Sequence, residues 1–228
     1  MTSNYKAVLL LTVLCMTGCT ATTRQEPTPE NAGVHSLRFQ PVFETFGGAL
    51  IKNSNLPKGR IFAFRLKPGS LLGGSLYGTV DLQRVSSTRD KLALDLDSWM
   101  PFAWDKALPV SGTRIRDGIS IEPGDTRLAQ VLPLVYSEGS GPLGGRFVGS
   151  HSYFMDEGEQ DADLMYFDRA CHLKGAYQQA VGKRTVTVDI EIPGPGFYLL
   201  SYVTGLGRDN YWLVLSPFAS TINLVTKL

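Results

Sequence analysis

Thr185-Val186-Thr187-Val188-Asp189-Ile190-Glu191-Ile192 alternates polar and apolar side chains without a break. Val186, Val188, Ile190 and Ile192 point one way and the polar residues the other, the period of a half-buried β-strand. The same period runs through 91–97, with Leu92, Leu94 and Leu96 on one face, and through 61–66, with Phe62, Phe64 and Leu66 together. Runs rich in apolar and aromatic residues at 77–83, 131–136, 164–167, 197–203, 211–215 and 221–225 predict further strands. Pro193-Gly194-Pro195-Gly196 forces a turn, and the stretch 205–210 forces another. The strands flanking these turns are therefore expected to form a meander.

Helical periodicity is confined to Leu173-Lys174-Gly175-Ala176-Tyr177-Gln178-Gln179-Ala180-Val181, long enough for two turns but interrupted by Gly175. The pattern predicts a mainly β, sandwich-like domain with one short helix. No repeat at a fixed period is visible, which argues against propellers and solenoids. The Gly-rich stretch 137–145 and the apolar Gly-rich stretch Leu71-Leu72-Gly73-Gly74-Ser75-Leu76-Tyr77 read as surface loops within one domain spanning 37–228.

The N-terminus has a different pattern. Lys6 precedes an apolar run from Ala7 to Met16, and Thr17-Gly18-Cys19 follows. The run is too short to span a bilayer, which takes about 20 residues, and has the shape of a secretory signal peptide. Met16-Thr17-Gly18-Cys19 resembles the lipobox of bacterial lipoproteins, with Met16 where Leu is usual. That resemblance implies cleavage after residue 18 and a diacylglyceryl and N-acyl lipid on Cys19. More than one acyl chain is what stable anchoring requires. Thr20, in place of the Asp that retains such proteins at the inner membrane, implies an outer-membrane anchor with the domain facing the periplasm. Residues 19–36 are polar and carry Pro27 and Pro29, the composition of a flexible linker. Extended, the part from Thr20 to His35 reaches roughly 50 Å. With such an anchor a transmembrane barrel would be redundant.

Composition narrows the classes of function. The formal net charge is +1, so neither a nucleic-acid footprint nor a polybasic membrane patch is indicated. Of three cysteines, Cys15 would leave with the signal peptide and Cys19 would carry lipid. Cys171 then has no intramolecular partner and is expected to be buried and inert.

Candidate chemistry is sparse. Asp156-Glu157-Gly158-Glu159-Gln160-Asp161-Ala162-Asp163 could offer oxygen ligands to calcium through Asp156, Glu159, Asp161 and Asp163. The spacing is not that of an EF-hand loop, and a solvated acidic hairpin turn is the favoured reading. Ser150-His151 and Cys171-His172 put a nucleophile beside a base. Neighbours on a strand face opposite ways, and a catalytic pair must meet through space with a group orienting the base. Three scattered histidines do not make a zinc site. Trp99-Met100-Pro101-Phe102-Ala103-Trp104 follows a predicted strand and contains a proline, which argues against a central strand. Its rings either close one end of the core or form a patch. Trp99, Phe102 and Trp104 are the candidate binding surface.

These features lead to the expectation of a non-catalytic lipoprotein, with no catalytic residues and no cofactor beyond the covalent lipid. It would attach to the membrane through that lipid and dock onto an envelope protein of a secretion, conjugation or polysaccharide-export assembly, without contacting nucleic acid. The alternative is a protein that binds or cleaves cell-wall glycan, using an aromatic platform or two facing carboxyls.

Overall fold

The computed structural model describes residues 33–45, 47–52, 60–68, 82–84, 92–110, 117–138, 145–147, 152–156, 160–179, 184–205, 210–216 and 222–227. The signal-peptide run, Cys19 and most of the linker lie outside these residues, as do Ser150, His151 and the stretch 71–77. In chain order the strands are β1 (Ser36–Glu44), β2 (Leu50–Lys52), β3 (Arg60–Pro68), β4 (Leu82–Arg84) and β5 (Leu92–Asp95). A 3₁₀ turn at Asp97–Trp99 leads into α1 (Met100–Lys106). Then come β6 (Leu108–Pro109), β7 (Ile119–Glu122), β8 (Arg127–Glu138), β9 (Gly145–Phe147) and β10 (Ser152–Met155). The chain closes with β11 (Asp161–Phe167), β12 (Cys171–Gln178), β13 (Thr185–Ile192), β14 (Gly196–Thr204), β15 (Asn210–Leu215) and β16 (Ile222–Lys227).

The protein is mainly β, with 65% of the described residues in strands and one short helix, consistent with a sandwich-like arrangement. The strands join in one mixed sheet ordered β2-β1-β16-β10-β11-β14-β15-β13-β12-β7, and β8 branches from it carrying β3, β6 and β9. The branch point is β11. One of its edges pairs with β14 from Ala162 to Phe167. The other pairs with β10 at Asp161 and Ala162 and with β8 from Leu164 to Phe167. The sheet therefore forks and folds over itself.

Two apolar cores result, with β11 and β14 as their shared wall. Leu164, Tyr166, Phe197 and Leu199 face a core that also holds Leu37, Phe39, Leu66, Met100, Val131, Phe154 and Leu224. Met165, Phe167, Tyr198 and Leu200 face the opposite core, with Ile121, Leu173, Val186, Val188 and Leu213. Covering both faces explains why these strands read as unbroken apolar runs, whereas β13, covered on one face, alternates cleanly. The expected inward set of Val186, Val188, Ile190 and Ile192 is buried throughout.

Three sequence expectations are corrected. The helix lies at α1, not at 173–181. In β12, Cys171, Leu173 and Tyr177 are buried while Lys174, Ala176 and Gln178 are exposed, so period two wins. The chain enters α1 instead, where Pro101 stands in the first turn, a position that needs no backbone N–H. The Asp95 carboxylate accepts from the amide N–H groups of Asp97 and Ser98 at 3.2 and 3.4 Å just before it. The meander is also revised. β14 and β15 form the expected hairpin, but β15 runs parallel to β13 between it and β14. The Pro-Gly turn thus joins strands that are not neighbours. Finally, order begins inside the stretch read as linker: Val34 is buried, Leu96 N–H donates to the His35 carbonyl, and β1 starts at Ser36. An apolar side chain that finds a core ceases to be linker.

Candidate functional site

The aromatic segment turns inward. Trp99 is 4% exposed and belongs to the first core, against which Phe102 and Trp104 pack partly buried. The Trp99 and Phe102 rings meet edge-on, 6.4 Å apart and inclined by 66°. They are not a coplanar, solvent-facing pair, so the expected open aromatic platform is corrected to a plug at one end of the core. The cause is the helical turn, which puts Trp99, Met100 and Ala103 on one stripe facing the sheet.

The acidic segment closes the hairpin between β10 and β11. Asp156 N–H donates to the Gln160 carbonyl at 2.9 Å, and the Asp156 carboxylate accepts from Gln160 N–H at 3.1 Å. Glu159 lies outside the described residues. Asp161 is exposed, whereas both Asp163 oxygens are engaged inside the protein. Oδ1 accepts from Gln130 Nε2 at 2.8 Å and Oδ2 from the Tyr202 hydroxyl at 3.1 Å. Tyr177 OH in turn donates to Tyr202 OH. Burial pushes the Tyr202 phenol well above its ordinary value, with the Asp163 charge adding to the effect. Asp163 is thus a structural acceptor that fastens β11 to β8 and β14. Among the described residues, no group of three or more His, Cys, Asp or Glu side chains is placed to hold a metal ion.

Cys171 and His172 face opposite sides of β12, as strand geometry requires. His172 Nε2 lies 2.6 Å from Asp189 Oδ1 and its Nδ1 3.5 Å from Glu191 Oε1, on the outer face. The Cys171 thiol is buried and free. Burial pushes it up to about 12, reinforced by the charges of Asp168 and Glu191. A thiol that stays protonated is a poor nucleophile. In the unfolded chain it would ionise near 8.5, so the folded state keeps a proton the unfolded state releases. Stability should therefore fall as pH rises through the interval from about 9 to 12. Urea midpoints across that range test this: Cys171→Ala should remove the first part of the loss, before the tyrosines titrate.

The outer face of β12, β13 and β15 was not legible beforehand as a surface. Its residues include Lys174, Ala176 and Gln178 from β12, Thr185, Thr187 and Asp189 from β13, and Trp212 from β15. Trp212 is 44% exposed. In Tyr211-Trp212-Leu213-Val214-Leu215 every side chain is apolar or aromatic, so the alternation that would have marked Trp212 as outward is missing. Leu213 points into the second core, and its neighbour must face away. Tyr211 lies on the inner side, its ring 5.0 Å from the Arg184 guanidinium.

No family model matches this chain, and neither the curated proteins nor the solved structures searched gave a match.

Proposed function

We propose that this protein is a non-catalytic envelope lipoprotein, held at the outer membrane by acylated Cys19, that serves as an interaction component of an envelope assembly. Thr17-Gly18-Cys19 at the end of the apolar run 7–16 carries the reading. The lipid supplies membrane attachment through the acyl chains. The β-rich domain supplies a rigid surface for a protein partner on the periplasmic side. Two observations support a binding role over a catalytic one. The Cys171 thiol is held protonated inside the core while His172 points outward. The Asp163 carboxylate is committed to Gln130 and Tyr202. The alternative, a protein that binds or cleaves cell-wall glycan, loses Trp99 as part of an exposed platform.

Fractionation of cells making the wild type and Cys19→Ala tests the anchor. The wild-type protein should sediment with the outer membrane and yield a Cys19 peptide carrying the mass of the lipid. Cys19→Ala should keep residues 1–18 and carry no lipid. A wild-type protein with an unmodified Cys19 thiol would overturn the anchor. Cross-linking in intact cells should recover envelope proteins with the wild type and lose them with Cys19→Ala; recovery of the protein alone would overturn the partner reading.

A further inference from the structure

We propose that the outer face of β12, β13, β15 and β14 is a glycan-binding surface centred on Trp212, taking a neutral, extended, β-linked hexopyranose chain. This goes beyond membrane attachment and does not depend on it.

The backbone register builds the surface. Ala176 lies opposite Thr187, Thr187 opposite Trp212, and Trp212 opposite Val203. Residues directly opposite each other share a sheet face, so these four form one row across four strands. Ala176 is exposed, Thr187 and Val203 half-buried, and Trp212 the most prominent side chain. An indole rising from a row of small side chains makes a shallow step with a flat floor. A pyranose with equatorial substituents is flat in the same way. Its ring hydrogens carry partial positive charge and meet the negative face of the indole, the geometry that also governs aromatic pairs.

The indole is held in advance. A side chain at Gly205 would have its Cβ 2.9 Å from Trp212 Cδ1 and Nε1, so the ring lies against the bare glycine backbone. Gly205 N–H donates to the Asn210 carbonyl at 2.8 Å and closes the end of the β14–β15 hairpin. A ring already fixed loses less entropy on binding. This is a positive reason for glycine at 205 beyond the turn itself.

The flanks select the ligand. In the next row on one side stand Gln178, Thr185 and Asn210, all neutral hydrogen-bonding residues. In the next row on the other side, Lys174 lies opposite Asp189, a cation against an anion. The row thus has polar groups along both sides and no net charge. A neutral polyol, which needs donors and acceptors at the edges and an apolar floor, fits this pattern better than an anionic polymer. The narrow apolar strip is also unlike the core of a protein–protein interface, which is wider and more uniformly apolar.

The test is calorimetric titration of the purified full-length protein in detergent with cellohexaose and with the N-acetylglucosamine hexamer. Binding of at least one is expected, and it should be insensitive to salt because the ligand is uncharged. Trp212→Ala should weaken it by at least about tenfold, the scale for losing an aromatic anchor, while keeping the wild-type urea midpoint. Trp212→Phe should retain most of the affinity. Thr187→Arg, which fills the floor and leaves the indole in place, should abolish binding. Gly205→Ala should weaken binding by displacing the ring. Absence of heat with both oligosaccharides at millimolar concentration would overturn the proposal. So would wild-type affinity in Trp212→Ala, or a cross-link from the Trp212 face to a protein in a chain that binds neither sugar. None of these results bears on Cys19, so failure here and failure of the anchor are separable.

Discussion

Truncating β14 on either of its faces should be severely destabilising. Phe197→Ala is expected to cost about 3–5 kcal/mol and Leu200→Ala about 2–5 kcal/mol, the range for large buried side chains. Phe197 is fully buried in the first core, its ring 5.2 Å from that of Tyr166. Leu200 is fully buried in the second. Each truncation removes apolar contact and leaves a cavity that a wall packed from both sides cannot collapse to fill. Against a total stability of about 5–15 kcal/mol, either variant would stand near unfolding at 37 °C. Urea denaturation measures both, with an unchanged slope showing that the loss is one of stability. Ile51→Ala, at a position 53% exposed, should shift the midpoint little. A large cost at Phe197 and a negligible one at Leu200 would mean that β14 is covered on one face only, and the two-core architecture would be wrong.

Gly175→Ala should cost about 3 kcal/mol, more than its single methyl suggests. Gly175 has a φ of +134°, a region L side chains rarely adopt, and strain there costs on the order of 1–3 kcal/mol. A Cβ would also collide with the Gly118 carbonyl oxygen and lie 3.2 Å from the Ile119 Cα. The obstacle is backbone and cannot rotate away. Gly118 mirrors the arrangement: its φ is +96°, and a Cβ there would strike the Ala176 carbonyl. Two bare backbones therefore meet where β7 joins β12, tied by a 3.1 Å bond from Ala176 N–H to the Gly118 carbonyl. Hydrogen exchange should show β7, at the end of the main strand path, losing protection first. A Gly175→Ala variant with the wild-type midpoint and a protected β7 would show that the close approach does not exist.

The same glycine shows why the strand was misread. Without a partner in view, a glycine among Leu173, Ala176 and Tyr177 looks like a blemish in a helix. In the sheet it is the point where another backbone comes close, the usual meaning of glycine inside a strand. The Pro-Gly turn after β13 was legible as a turn, because proline and glycine act locally. Its consequence was not legible, because β15 enters between β13 and β14 from residues more than a dozen positions later. The acidic turn was legible for a similar local reason, while the engagement of Asp163 by Gln130 and Tyr202 depends on strands far apart in the chain. The aromatic segment combined both cases. Pro101 signalled that a central strand would fail there, but only the sheet beneath α1 decided that Trp99 faces inward.

What the sequence by itself determined is local. Alternation in β13 specified which four side chains are buried, and the apolar runs of β11 and β14 marked strands. Residues 7–19 set the expectation of lipidation. Periodicity works at this range because it depends only on backbone geometry within a strand. Tertiary structure decided which face of each strand is covered, which strands are neighbours, and where an apolar side chain remains outside. Leu213 and Trp212 are adjacent and both apolar, yet one is buried and the other is the most prominent ring on the outer face. The difference is a core on one side of β15 and solvent on the other, and that depends on where the rest of the chain goes.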